Sequence, residues 1–303
     1  MDIQVNSDNL PILECFSSKS RVKIIELLSE EAKSINELAE TLDVSSAIVT
    51  RHIQKLEEAG IIRTESVSGT RGRRKVCHLL RESLTLRFTK PQQADDNFYA
   101  VSIPVGQYAD YEVQPTCGLA SETGIIGMVD DPRYFSSPDH VKAKHLWFGS
   151  GFVQYRIPNY LVGTQRLREL RISFEICSEA PDYNEHWPSD IGFALNGIHV
   201  GMWTCPGDFG RHRGVYTPSW WTIGTQYGLL KTLTIRSDGT YLDGERLSDV
   251  TPDDLNLQVG RDIPFQISNP ETAVHRGGVN LFGSRFGNYD QEVEVSVYYV
   301  PVR

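Results

Sequence analysis

The sequence predicts a two-part α+β protein, an N-terminal winged helix-turn-helix followed by an all-β jelly-roll sandwich. Three observations predict it. Two short helical patterns meet at Leu42-Asp43-Val44-Ser45 and run into a basic, glycine-containing hairpin. The aromatic residues are partitioned, with all five Trp and all thirteen Tyr beyond residue 97. Charge is partitioned too: the chain is −9 overall, yet residues 1–90 sum to +1 and the remainder to −10.

The helical elements follow in order. Val22, Ile24, Ile25, Leu27 and Leu28 recur at helical spacing over Ser20–Ala32, which predicts an amphipathic helix. Ser34-Ile35-Asn36-Glu37 opens a second helix as a capping box, in which the serine hydroxyl and glutamate carboxylate satisfy each other's orphan amides. Leu38 and Leu42 supply its apolar face. Ser45 is the expected N-cap of a third helix, Val49, Ile53 and Leu56 its buried stripe, and Gly60 the residue that ends it.

With that stripe turned inward, Ser46, Ala47, Thr50, Arg51 and Gln54 are left on the outer face. Small and hydroxylated side chains let such a helix enter a DNA major groove closely, where Arg51 suits a guanine edge and Thr50 a phosphate or a thymine methyl. Ser45 and Lys55 flank this face. Two strands, Ile61–Val67 and Lys75–Leu80, are predicted next, joined by the flexible tip Ser68-Gly69-Thr70-Arg71-Gly72-Arg73-Arg74. From Arg51 to Lys90 there are ten basic residues against four acidic ones. That local excess in an acidic chain fits phosphate contact by Arg71, Arg73, Arg74 and Lys75 better than general nucleic-acid adhesion.

Cys15 to Leu80 resembles the winged-helix domain of the ArsR-type transcriptional regulators. The likeness rests on Lys19-Ser20-Arg21-Val22-Lys23-Ile24-Ile25-Glu26-Leu27-Leu28, on Val49-Thr50-Arg51-His52-Ile53-Gln54-Lys55-Leu56-Glu57-Glu58-Ala59-Gly60-Ile61-Ile62, and on the wing. It implies a homodimer that binds a pseudo-palindromic operator in double-stranded DNA, usually as a repressor. Many such proteins sense metals through cysteines on the helix before the recognition helix. Here that helix reads Asn36-Glu37-Leu38-Ala39-Glu40-Thr41, without cysteine, so a soft-metal signal is not expected there.

Residues 91–97 read as a linker between a DNA-binding domain (1–90) and a β domain (98–303), being polar, proline-containing and without apolar period. Beyond it, alternating runs recur at Arg168–Ile176, Ile191–Trp203, Leu229–Ile235, Phe265–Ser268, Gly278–Phe282 and Val293–Tyr299. Turn signals Asn196-Gly197, Asp238-Gly239 and Asp243-Gly244 punctuate them. Short strands with tight turns and no long helical pattern predict a two-sheet jelly roll.

Aromatic residues in this half cluster with charged ones. One group is Pro181–Trp187; a second runs from Trp203 through Asp208, Arg211 and Arg213 to Trp220 and Trp221; a third is His145, Trp147, Tyr155 and Arg156. Flat rings beside forked arginines and carboxylates suit a sugar or oligosaccharide effector. The candidate ligand residues are therefore Trp147, Tyr155, Arg156, Trp187, Trp203, Asp208, Arg211, Arg213, Trp220 and Trp221. The segment Gly277–Asp290 resembles the closing strands of carbohydrate-binding and concanavalin-like sandwiches, which implies the same ligand class. Core packing is the competing role for each tryptophan.

The five cysteines, Cys15, Cys77, Cys117, Cys177 and Cys205, are odd in number and lack C-x-x-C spacing. Without a signal peptide or a long apolar segment, free thiols and a cytoplasmic location are expected, with no membrane partner. No metal-ligand spacing, P-loop or G-x-S-x-G occurs, so no cofactor, metal site or catalytic residue is expected. Two alternatives stay open: a β domain that only dimerises or binds another protein, and a glycosidase-like enzyme using paired carboxylates.

Overall fold

The computed structural model describes residues 2–69, 72–80, 84–87, 97–222 and 224–302. The chain divides into two compact units, Met1–Ala94 and Asp95–Arg303.

The first unit is helical with a small sheet. Helices α1 (Leu10–Cys15), α2 (Lys19–Glu30), α3 (Ile35–Leu42) and α4 (Ser46–Glu58) enclose Ile24, Leu28, Leu38, Val49, Ile53 and Leu56. The Ser34 capping box forms: Ser34 Oγ accepts from the Glu37 amide while Glu37 Oε2 accepts from the Ser34 amide, at 3.4 and 2.6 Å. Those bonds hold the Glu37 carboxyl below its usual range. Ser45 caps α4 by accepting from the Ile48 amide. Gly60 follows α4 with φ +66°, a left-handed conformation that a Cβ would strain.

Three features of this unit differ from expectation. Helix α1 carries no long apolar period and was not expected. On α2 it is Arg21, 9% exposed, that is buried beside Ile24 and Leu28, while Val22 is half-exposed. Its guanidinium donates to the carbonyls of Cys15 and Glu14 at the end of α1. A cation suits that helix terminus because the unpaired carbonyls there are partially negative. Third, the wing is more regular than a flexible tip. Strands β3 (Ile62–Gly69) and β4 (Gly72–Leu79) pair antiparallel out to Gly69 opposite Gly72, so Arg73 opposes Ser68 and Arg74 opposes Val67. The ladder continues because alternating Thr, Val, Arg and Lys side chains tolerate the pleated surface. Strand β2 (Lys33–Ser34) joins β4, and β1 (Asp2–Gln4) pairs parallel with β5 (Thr85–Arg87).

The second unit is an antiparallel β-sandwich. Its strands are β6 (Asn97–Ile103), β7 (Asp110–Ala120), β8 (Ile125–Ile126), β9 (His145–Ile157), β10 (Gln165–Cys177), β11 (Ser189–Leu195), β12 (Ile198–Cys205), β13 (Leu229–Arg236), β14 (Gly239–Leu242), β15 (Glu245–Ser248), β16 (Ile263–Asn269), β17 (Val279–Phe282) and β18 (Val293–Pro301). One sheet runs β12-β11-β16-β9-β7 and the other β6-β18-β10-β13-β14-β15. The short β17 pairs with both β9 and β10, joining the sheets at a corner. Along the chain β9, β10, the hairpin β11–β12, β13, β16 and β18 alternate between sheets, the wrapping of a jelly roll. Asn97, expected as the last linker residue, is the first of β6; the remainder of that segment, 91–96, lies outside the described residues.

Core residues follow the period of two that a sandwich imposes. Ile191, Phe193 and Leu195 on β11 and Phe265 and Ile267 on β16 face Ile172, Phe174, Leu233 and Ile235 of the other sheet within one apolar cluster. One buried carboxyl group orders the loops over the corner. Glu175, fully buried, accepts from the amides of Gly228, Asn288 and Tyr289 at 2.8, 2.8 and 2.9 Å. Gly287 lies against that carboxylate with φ +78°, so a side chain there meets both strain and Glu175.

Candidate nucleic-acid interface and effector site

The N-terminal half of α4 presents Ser45, Ser46, Ala47, Ile48 and Arg51 exposed, followed by Gln54 and Lys55 one turn on. The sequence stripe Val49, Ile53, Leu56 is entirely buried, which is what turns these residues outward. Thr50 is half-buried, and its hydroxyl donates to the Ser46 carbonyl at 2.8 Å. Its methyl and one lone pair are thus what it offers outward. Ile48, 48% exposed, joins this face although the sequence pattern does not single it out. Its signal is the one-residue offset from Val49, which places it on the flank of the buried stripe. His52 is held below its usual pKa by burial and by the charges of Arg21, Arg51 and Lys55, so this end of the helix carries positive charge without it.

On the wing, Arg74 and Lys75 are exposed strand residues. Each faces a distant carboxylate, Arg74 to Glu37 at 3.9 Å and Lys75 to Glu57 at 3.5 Å. Exposed pairs at such separations contribute little, so both cations are available to a phosphate. Arg71 lies outside the described residues, as does the side chain of Arg73.

The ten candidate ligand residues of the second unit do not form one site. Tyr155 is a correction: it is fully buried in the core, with its hydroxyl donating to the Val105 carbonyl at 2.7 Å. Odd positions of β9 point inward at that register, so Arg156 beside it is exposed. Trp203 is half-buried under the Lys231 ammonium, 4.6 Å from the ring centre. Arg213 donates to the Thr217 carbonyl through Nε and Nη2, at 3.2 and 2.8 Å, and braces its own loop. Trp220 donates its indole N–H to the Glu122 carbonyl. Trp187 is half-buried, and its Nε1 has no partner among the described residues.

Two groupings do assemble. Arg211 meets the Pro181–Trp187 loop, pairing with Glu185 at 3.5 Å; with Asp182, Tyr183, Asn184 and His186 they line a surface cleft of ≈ 360 Å³. The second is a buried polar network at the β17 corner. His145 Nε2 donates to Asn280 Oδ1 at 2.7 Å, and Asn280 Nδ2 donates to the Ser178 carbonyl and to Glu179 Oε2, both at 2.7 Å. Thr116 donates to the other Glu179 oxygen at 2.9 Å. Thr225, near Asn280 at 3.3 Å, donates to Asp208 Oδ2 at 3.0 Å, and the Ala180 amide donates to the same oxygen.

Aromatic rings wall this network. His145 packs against Trp147, Trp221, Phe282 and Phe286 with centroids 4.5–5.3 Å apart, and Trp147 meets Trp221 edge-on at 5.6 Å. Burial pushes the His145 imidazole down to about 3, so it is neutral. Burial raises Glu179 to about 8, helped by the charge of Asp208, and burial raises Asp208 to about 7. Glu179 keeps a half-exposed surface while protein surrounds most of its carboxyl; Asp208 is 0% exposed. Of these residues the sequence singled out Trp147, Asp208, Trp221 and, within an aromatic group, His145. Glu179, Thr225 and Asn280 carry no motif, and only the sheet corner brings them together.

Comparison with known proteins bears on the first unit. Residues 16–65 match the helix-turn-helix domain family, and they form a helix-turn-helix. Over 62 residues the chain is 39% identical to an uncharacterised HTH-type transcriptional regulator of Methanocaldococcus jannaschii, a match spanning 20% of this chain and 65% of that protein. The chain thus covers just under two thirds of the length of this curated relative. Among solved structures, an ArsR family transcriptional regulator is 28% identical with a TM-score of 0.22, covering 24% of this chain and 78% of that one. A carbohydrate-binding module solved with calcium and xylotriose is 10% identical with a TM-score of 0.27, covering 66% of this chain and 98% of that one.

Proposed function

We propose that this protein is a DNA-binding transcriptional regulator that works as a homodimer and represses from a pseudo-palindromic operator. The observation that carries this reading is the geometry of α4. Its buried stripe leaves Ser46, Ala47, Ile48, Arg51 and Gln54 exposed at the capped end, on the unit that also bears the exposed Arg74 and Lys75. A helix entering the major groove reads bases with that end, while wing cations position it on phosphates.

The second unit, in this reading, binds a small polar effector, a sugar or oligosaccharide. Support comes from the cleft beside Arg211 and from the polar network walled by Trp147 and Trp221. Rings offer flat faces to C–H surfaces while the polar groups read hydroxyls. An effector regulates only by binding one state of the dimer better than the other; equal affinity for both shifts nothing.

The test is selection of bound duplexes from a randomised pool by the full chain, followed by affinity measurement across salt concentrations. A recovered two-half-site motif with a steep salt dependence supports the reading. Recovery of unrelated sequences with a shallow slope refutes it.

A further inference from the structure

Glu179 and Asp208 are two carboxyl groups of one network, linked through Asn280 and Thr225. Among the described residues no Lys, Arg or His forms an ion pair with either, although ion pairs are frequent elsewhere in this acidic unit. Buried carboxyls without a cation are costly: burial raises the proton affinity of both, with the Asp208 charge adding to it at Glu179 and the Asp182 charge at Asp208. A second observation points to an occupant. Asp208 Oδ1 and His145 Nδ1, on residues no more than 1% exposed, have no hydrogen-bond partner among the described residues.

The character of those orphans defines what they lack. His145 donates from Nε2, so its Nδ1 is a bare acceptor. Asp208 Oδ1 is an acceptor when ionised. The network is short of donors and of positive charge. Of its two walls, Trp147 is buried against Gly118 and His145, while Trp221 is half-exposed, and a tryptophan face attracts cations as well as C–H groups. Glu179 and Thr116 are the members that reach the surface. The network also meets the Arg211 cleft, because the Asp208 amide donates to the Asn184 carbonyl on the cleft's wall at 2.9 Å.

We propose that the ligand of this corner is a carbohydrate bearing a protonated amine, its ammonium held by Glu179 and Asp208 and its ring set against Trp221. The proposal rests on the reading of the second unit as an effector sensor and adds the sign of the effector's charge. Three N–H donors of an ammonium answer the acceptor-rich network, and the charge relieves the paired carboxyls.

The experiment is calorimetric titration of the full chain with glucosamine, galactosamine and mannosamine, each beside glucose, galactose, mannose and N-acetylglucosamine, at a pH where the amine is protonated. At least one amino sugar is expected to bind about tenfold tighter than its neutral counterpart. Glu179→Gln and Asp208→Asn are each expected to erase that preference while keeping the tryptophan emission of the unaltered protein. Neutral sugars that bind as tightly as the amino sugars overturn the charge assignment and leave the sugar-effector reading standing. Binding by none of them overturns the proposal, as does a preference unchanged in both variants. An amino sugar that binds here yet leaves duplex affinity unaltered upholds the site and removes the sensor reading.

Discussion

Asp208→Asn should flatten the pH dependence of stability in the second unit. In the folded chain burial raises this carboxyl from an ordinary 3.8 to about 7. Between those values the folded protein holds a proton that the unfolded chain has released. Stability therefore falls as pH rises through that window, at about 1.4 kcal/mol per unit. The full window amounts to roughly 4 kcal/mol, undiluted by solvent screening because the side chain is 0% exposed. Asparagine is nearly isosteric, and its amide oxygen still accepts from the Ala180 amide and the Thr225 hydroxyl. It does not titrate, so this contribution to the slope disappears. Glu179 adds a slope of the same sign, smaller in the variant because the Asp208 charge helps raise it. His145, lowered to about 3, gives the opposite slope, stability rising with pH up to about 6.5, and it cancels in the comparison of the two proteins. Urea unfolding followed by tryptophan emission reports this unit alone, since all five Trp lie in it. Near about pH 4.5 the two proteins should differ little; by about pH 7.5 the variant should have gained on the unaltered chain by roughly 3 kcal/mol. Parallel curves across that range would show that Asp208 is ionised throughout and would sink the argument for an uncompensated carboxyl.

Further predictions follow from the same geometry. Arg51→Ala should weaken binding to a selected duplex by about 1–3 kcal/mol and relax preference at one base position; unchanged preference in a mutated-site series removes Arg51 from base reading. Ile48→Ala should lose affinity on thymine-containing sites but not on the same sites with uracil, measured by fluorescence anisotropy; equal losses on both would exclude methyl contact. Replacing Arg73 and Arg74 with alanine should lower affinity for all duplexes and reduce the salt slope by about 0.9 for each phosphate that is no longer neutralised. Ile53→Ala, at a fully buried position, should destabilise the first unit by about 2–5 kcal/mol, read by far-UV ellipticity because α1 to α4 all lie there. A loss below about 0.5 kcal/mol would contradict the core assignment.

Much of the first unit was legible because its signals are local. A capping box, an N-cap serine and a C′ glycine act within four residues, and each was found where the sequence places it. The stripe Val49, Ile53, Leu56 likewise follows from the helical period alone. Arg21 was not legible, since nothing in a period of 3.6 says that a cation will turn inward to meet the carbonyls of a helix six residues earlier. In the second unit the six strand runs and the Asn196-Gly197 turn were readable from alternation, and the jelly roll followed from their number. Strands β7 and β9 escaped because Gly118, Gly149 and Gly151 interrupt their alternation.

The candidate effector residues divide by the same rule. The sequence by itself determined that aromatic and charged side chains concentrate beyond residue 97, and that Arg51 and its neighbours face outward on α4. It determined this because periodicity and composition are properties of neighbouring positions. Which of those aromatics share a site was decided only by the fold. Tyr155 went to the core and Arg213 to its own loop, while Thr116, Glu179, Asp208, Thr225 and Asn280, up to 164 positions apart in the numbering, converged at one corner. The cause is β17, which pairs with strands of both sheets and brings residues of β7, β9, the loop after β10 and the β12–β13 connection under one cover. Long-range pairing of that kind leaves no trace in local spacing, and neither does the burial that raises the proton affinity of its carboxyls.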